Sequence, residues 1–369
     1  KPFSFMQLPL ELREQIYSLY FRPADHLVKS PALEANGFFG GVYQWSFALS
    51  CVSKQIYAES QKVWRRENAF IKIATPWPSA VNHISSEGLV PIVCTDARAD
   101  SFTGHHAEVH ITAPFHEAVP DHTVVMLADD VHLFTRTWHY SALSYPMLNE
   151  RLSTTFTLRN PDPNPDPDPA MQVPLPLQRR LLLPFEAVKG LHDMHIHGYA
   201  PVVQQELRTR QALPVPTLQE ACETATDIML AGDKALATHN DNNAVEALEL
   251  YRRAFRAIHI LIHGRTRRVL ADVFFHGTIN HGRYKGQTGS TVRVMLRLKL
   301  VSRTIAACNA LGQFGDAAFW GMRSINIMSE SSDSGFEDFL SSFRVLQDVG
   351  LIYLRTAIAF STMEKDSEA

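Results

Sequence analysis

The sequence predicts an α+β protein with an N-terminal helical module, a mixed sheet-containing middle and a C-terminal array of helical hairpins. Three observations lead there. Apolar residues recur at helical spacing through the first seventy positions, alternate with polar ones between about Phe70 and Tyr199, and return to helical spacing from about Thr217 to Phe360. The length of 369 residues is about twice the usual ~100 to 200 of one domain. The natural divisions are 1–70, 71–204 and 205–369.

In the first segment Leu8, Leu12, Ile16 and Leu19 lie at helical spacing, and Pro9 falls where a missing N–H does no harm. Glu11 and Glu14 put negative charge near the positive end of the helix dipole. A helix over about 8–21 follows. After a loop rich in proline and glycine, Leu49, Val52, Ile56 and Val63 predict a second amphipathic helix that ends near Asn68. In the middle segment Ala107, Val109, Ile111 and Ala113 alternate with Glu108, His110 and Thr112, as in a strand with one buried face. Shorter runs at 71–73, 124–127, 131–134, 156–158 and 194–196 predict further strands. Prolines at alternate positions from Pro161 to Pro169 can neither donate to a ladder nor continue a helix, so 161–169 is read as an extended surface loop.

The C-terminal segment carries small residues at fixed spacings. Gly232 is followed by Ala247, Tyr251 and Ala254. A second unit has Ala306, Ala307, Ala310 and Gly312 before a turn, then Ala317, Gly321 and Ser324. Small residues let paired helices approach closely, and a ring such as Tyr251 fills the remaining gap. The pattern resembles degenerate tetratricopeptide repeats, with a longer turn in the first unit and Gly321 in place of the aromatic in the second.

Hydrophobic residues make up 45% of the chain and charged residues 20%, which excludes a disordered or collagen-like protein. The four cysteines stand far apart with no C-x-x-C pair, so a reducing compartment, cytosol or nucleus, is expected. No apolar run approaches the ~20 residues needed to span a bilayer, and no membrane partner is expected.

The opening run Phe5-Met6-Gln7-Leu8-Pro9-Leu10-Glu11-Leu12-Arg13-Glu14-Gln15-Ile16-Tyr17, with Cys51 to Ser60 and Arg66 to Phe70, resembles the N-terminal module of filamentous-fungal F-box-like proteins. Leu183-Pro184-Phe185 and Met194 to Gly198 are similar to a strand-bearing stretch of the same group. The first resemblance covers about seventy residues and differs in carrying a loop of more than twenty, from Arg22 to Tyr43. It implies that a face made by Leu8, Pro9, Leu12 and Ile16 docks on a Skp1-like adaptor of a cullin-RING ubiquitin ligase. The rest of the chain would select a client.

Several histidine groupings invite a metal. His195 and His197 share a strand face behind His192, and His105, His106 and His110 form a second cluster with His116 and His122 nearby. Together they are the basis for an alternative reading, a metal-dependent hydrolase. Such sites need further ligands from later strands, whereas the chain turns helical after Tyr199. His259 and His263, one helical turn apart, lack the glutamate of a zinc protease helix, and Ile260, Leu261 and Ile262 between them predict a buried helix. The glycines from Gly282 to Gly289 suggest a phosphate loop, but no lysine follows the second of them, and an inter-helix loop is the simpler reading. No catalytic residue, metal or cofactor is therefore assigned.

Charge is more telling. Between Arg252 and Arg303 stand twelve basic residues against one acid, Asp272, in a chain of net charge -3. Arg252, Arg253, Arg256, Arg265, Arg267, Arg268, Arg293, Arg297, Lys299 and Arg303 are the candidate face for an acidic or phosphorylated partner, since guanidinium forks bind carboxylate and phosphate in bidentate fashion. Pairing with the chain's own acids, such as Glu330, Asp333, Glu337 and Asp338, is the competing expectation. A nucleic-acid or chromatin-associated factor is a further alternative, disfavoured by sparse aromatic residues near the charge. The function expected is a non-enzymatic protein-interaction protein.

Overall fold

The computed structural model describes residues 5–116, 122–161, 173–237, 241–330 and 346–368. Its class is α+β. The chain divides into two compact units, residues 1–214 and 215–369.

Unit 1 opens with α1 (Leu10–Tyr20) and, after the 22–43 insertion, α2 (Lys54–Glu67). The insertion holds two short helices, Pro23–His26 and Pro31–Ala35, and a two-stranded ribbon pairing Leu27 with Tyr43. Ser53 caps α2 by accepting from the Ile56 N–H at 3.2 Å. Tyr17, Phe21, Ile56 and Val63 form the small core between the two helices.

The sheet has six strands, β1 (Phe70–Thr75), β2 (Cys94–Thr95), β3 (Ala107–Thr112), β4 (His122–Leu127), β5 (Ser153–Leu158) and β6 (Asp193–His197). Their spatial order is β2-β4-β1-β3-β5-β6. The β1–β3 and β5–β6 pairs are parallel and the rest antiparallel. In β3 the burial alternates as the sequence does, with Ala107, Val109 and Ile111 inside. The run 131–134, expected as a strand, is instead the first turn of α3 (Val131–Ser144). Beyond Leu127 the apolar spacing changes to Val131, Phe134 and Trp138, the period of a helix, and Asp129 and Asp130 supply negative charge at its N-terminus. Trp138 and Phe134 pack with Phe156 of the sheet and Phe185, which follows α4 (Leu175–Leu182). The unit closes with α5 (Pro201–Gln211). From Asp162 to Pro169 the proline-rich run lies outside the described residues.

Beside the sheet, Tyr43 donates a hydrogen bond to Asp130 Oδ2 at 2.9 Å, and burial pushes the Asp130 carboxyl up to about 6. A carboxyl raised in the folded state stabilises most below its unfolded value of about 4, and that contribution is lost as pH rises through 6. Asp130→Asn is therefore expected to raise stability at pH 8 by about 1 to 2 kcal/mol and to change little below pH 4. Urea titrations at the two pH values check this, and an equal effect at both would contradict it.

Unit 2 contains α6 (Leu218–Leu236), α7 (Asp241–Ala257), a hairpin of β7 (Ile260–His263) and β8 (Thr266–Val269), then α8 (Gly289–Ala310), α9 (Phe314–Glu330) and α10 (Leu346–Glu368). Thr217 and Glu220 cap α6 reciprocally. Helix α6 packs on α7, α8 on both, and α10 on α8 and α9. The helix expected around His259 and His263 is the hairpin. The run Ile260–Ile262 is too short for its period to separate strand from helix. His263 pairs with Thr266 across a two-residue turn, and Gly264, at φ +54°, supplies the positive φ that such a turn needs at its first central position.

No described helix is long and apolar enough to cross a membrane.

Candidate functional site

Each unit presents one candidate surface. In unit 1 the buried face of α1 is polar. Arg13 forks onto Glu59 of α2, with Nε and Nη2 donating at 2.9 and 2.7 Å, and Nη1 donates to the Leu8 carbonyl at 2.5 Å. Tyr17 donates to Glu59 Oε2 at 2.9 Å and Gln55 to Oε1 at 2.9 Å. The Arg13 guanidinium, aided by Gln55 and Tyr17, holds the Glu59 carboxyl down to about 2. The helix thus satisfies its inward side with Arg13 and Tyr17, and its leucines turn outward. Leu12 is 44% exposed, Ile16 39% and Leu19 58%; Pro9 is exposed as well and Leu8 half-buried. Of the face expected from sequence, Leu8, Pro9, Leu12 and Ile16 therefore lie outside this unit's core.

In unit 2 the basic residues divide by the company they keep. Arg252 and Arg256 both meet Glu249, at 3.8 and 2.6 Å, and Arg253 is exposed beside them. Arg265 pairs with Asp316 at 3.0 Å and covers the Phe319 ring. Arg268 and Lys299 are half-buried. Arg303 reaches Asp233 at 2.8 Å and Asp348 at 2.9 Å, and Tyr251 donates to the same Asp233. Arg293, expected on an open stripe with Arg297, is 6% exposed. Its guanidinium donates to the carbonyls of Ile258, His259 and Leu270 and to Asp272 Oδ1. Arg293 and Arg303 are interior fasteners, so the spacing of Arg293 to Arg297 and of Lys299 to Arg303 does not produce two open basic stripes. Charges on a buried helix face survive only where partners converge on them, as they do here.

Arg267 and Arg297 are different. Both are half-buried, and among the described residues neither side chain makes a hydrogen bond or an ion pair. Burial, with Arg297 and Arg323 adding like charge, pushes the Arg267 guanidinium down to about 10, and burial lowers Arg297 as well. The two line a narrow cavity of about 40 Å³ with Leu298, Val301, Ser324 and Met328. Arg297 also lines an adjoining hollow of about 290 Å³ in which Ile260, Val269, Phe275 and Val294 stand beside Asp272, His276, Ser290 and Arg293. Arg323, on α9, falls beyond the basic segment that the sequence singles out, and linear charge counting gives no sign that it belongs with Arg267 and Arg297.

The histidines stay apart. His195 contacts Asp193 at 3.0 Å and stacks on His197 with ring centroids at 6.3 Å, all on the outer face of β6, while His192 meets the Phe115 ring. His105 Nδ1 donates to the Phe102 carbonyl, and His106 is buried against the Phe70 N–H and pushed down to about 4 by that burial. Among the described residues no three His, Cys, Asp or Glu side chains are grouped to hold a metal ion. The glycine-containing loop is tied to acids: the Arg283 N–H donates to Glu223 Oε1 at 2.9 Å and its side chain pairs with Asp227. A carboxylate thus stands where a phosphate would.

Compared with known proteins, the chain matches no family model, no curated protein and no solved structure.

Proposed function

We propose that this chain is a non-enzymatic interaction protein, in which an F-box-like helical module docks on a Skp1-like adaptor and a tetratricopeptide-like unit 2 receives an acidic or phosphorylated client. Ubiquitin transfer, on this reading, belongs to other subunits of a cullin-RING ligase.

The observation that carries the reading is the inversion of α1. A helix whose buried side is Arg13 and Tyr17 has no internal use for Leu12, Ile16 and Leu19, and exposed apolar groups gathered on one face mark a contact surface. For unit 2, support comes from Tyr251, which seats its ring over Gly232 and joins α6 to α7, as a ring between small residues does in the repeats that this segment resembles. Arg267 and Arg297, unpaired with any carboxylate among the described residues, supply an anion-seeking feature that the paired arginines do not.

The test is direct binding of the purified chain to a purified Skp1-like adaptor. Leu12→Asp and Ile16→Asp are expected to weaken it at least tenfold. Because both positions are exposed, the unfolding free energy should move by no more than about 0.5 kcal/mol. Absence of binding by the native chain would overturn the adaptor reading.

A further inference from the structure

Arg267 on β8 and Arg297 on α8 line one narrow cavity, and Arg297 and Arg323 on α9 both bring like charge to the half-buried Arg267. Among the described residues of this unit, Asp272 is engaged with Arg293, Asp316 with Arg265, and Asp233 and Asp348 with Arg303, and no carboxylate is paired with Arg267 or Arg297; Asp333, Glu337 and Asp338, competing partners expected from sequence, lie outside the described residues. Arg323 makes one long hydrogen bond to the Arg265 carbonyl, at 3.4 Å, and lies over the Trp320 ring. Half-buried like charges without counterions destabilise a fold, and sites that bind and catalyse are where such arrangements gather.

We propose that Arg267, Arg297 and Arg323 form a binding site for a phosphorylated side chain of a protein partner, with the adjoining hollow taking a neighbouring apolar residue of the same peptide. The inference rests on reading unit 2 as the receiver of an acidic or phosphorylated client, and it names the place and the chemistry. A single carboxylate would answer one of three positive charges. A phosphate monoester brings about −1.5 to −2 of charge and three acceptor oxygens, a better match for three planar forks. The lining supports a peptide source. Arg297 stands at the boundary between the narrow cavity and the larger hollow, whose Ile260, Val269, Phe275 and Val294 suit an aliphatic side chain, while stacked aromatics of the kind that hold bases are not part of it.

The experiment uses the full chain and three blocked pentapeptides, Ala-Leu-X-Leu-Ala, with phosphoserine, glutamate or serine at X, titrated by calorimetry, and orthophosphate as competitor. The phosphoserine peptide is expected to bind at least tenfold more tightly than the serine peptide, with glutamate between them. Arg267→Gln and Arg297→Gln should each weaken it at least tenfold, and Arg297→Lys, which keeps charge but loses the fork, should recover part of the loss. Arg252→Gln and Arg256→Gln, whose partner is Glu249, should leave it unchanged. Without ligand, Arg267→Gln should raise the melting temperature, because it relieves repulsion; a merely structural arginine would lower it. If Arg297→Gln does not fold, Arg267→Gln and Arg323→Gln carry the test. Undiminished binding by both Arg267→Gln and Arg297→Gln, with loss confined to changes at Arg252, Arg253 or Arg256, would overturn this site and leave the acidic-client reading standing. Binding of orthophosphate with no preference for the phosphoserine peptide would overturn the partner assignment. No binding of any probe would overturn the site, while adaptor binding through α1 is measured separately.

Discussion

Arg293→Ala is expected to destabilise unit 2 by about 3 to 5 kcal/mol, the range for removing one member of a buried, fully bonded charge cluster. The side chain fastens the neck of the β7–β8 hairpin. It donates to the Ile258 and His259 carbonyls on one side at 3.0 and 3.1 Å, and to the Leu270 carbonyl on the other at 2.5 Å. The Asp272 contact at 2.6 Å and the Phe275 ring, 4.3 Å from the guanidinium carbon, complete its surroundings. Alanine would strand buried carbonyls, each with a desolvation penalty of about 1 to 3 kcal/mol, and leave a cavity. Lysine should rescue little, because one ammonium on a flexible stem cannot span three carbonyls and a carboxylate in a plane. Denaturant unfolding combined with hydrogen exchange of α8 amides reads the effect, and a loss below about 1 kcal/mol would show that the clasp is dispensable. The same reasoning separates two kinds of arginine experiment. Reversing charge at Arg293 reports on folding, whereas reversing it at Arg267 or Arg297 reports on what binds there.

That distinction marks the limit of what the linear sequence discloses. Strands β1, β3, β4, β5 and β6 announce themselves because each sets one or both faces in a core, so alternation or a solid apolar run is unavoidable. Helix α1 is also visible, but its orientation is not. Leu8, Leu12, Ile16 and Leu19 look like a core stripe, and nothing local reveals that Glu59, more than forty residues later, draws Arg13 and Tyr17 inward instead. The β7–β8 hairpin is hidden for a different reason. Its four-residue strands are shorter than a helical period can be tested over, and its anchor, Arg293, comes from α8. A count of twelve basic residues finds the right neighbourhood but cannot sort paired from unpaired, since the sorting acids Asp233, Asp316 and Asp348 lie outside the window. Arg323 is missed on the same ground.

Gly321→Ala should lower the stability of unit 2 by about 2 kcal/mol, although alanine is intrinsically the better helix former by up to about 1 kcal/mol. A Cβ at Gly321 would fall 1.9 Å from Thr356 Oγ1 and 2.8 Å from Thr356 Cβ and Cγ2, well inside any real contact. Thr356 belongs to α10, is buried, and is held by its own bond to the Ile352 carbonyl at 2.6 Å, so it cannot rotate away cheaply. In the α6–α7 pair the glycine is on the first helix, where the Tyr251 ring covers Gly232; in the α8–α9 pair it is on the second, and a third helix closes over it. The small residue at 321 is thus the complement of Thr356, and the two should couple. Thr356→Ala removes Oγ1 and Cγ2 and should be mildly destabilising by itself, yet it should relieve much of the damage in Gly321→Ala. A double-mutant cycle is expected to give a coupling above about 1 kcal/mol, where independent sites would add to within about 0.5 kcal/mol. Additive losses would mean that α9 and α10 do not meet at this pair, and the close approach would have to be abandoned as the reason for glycine there.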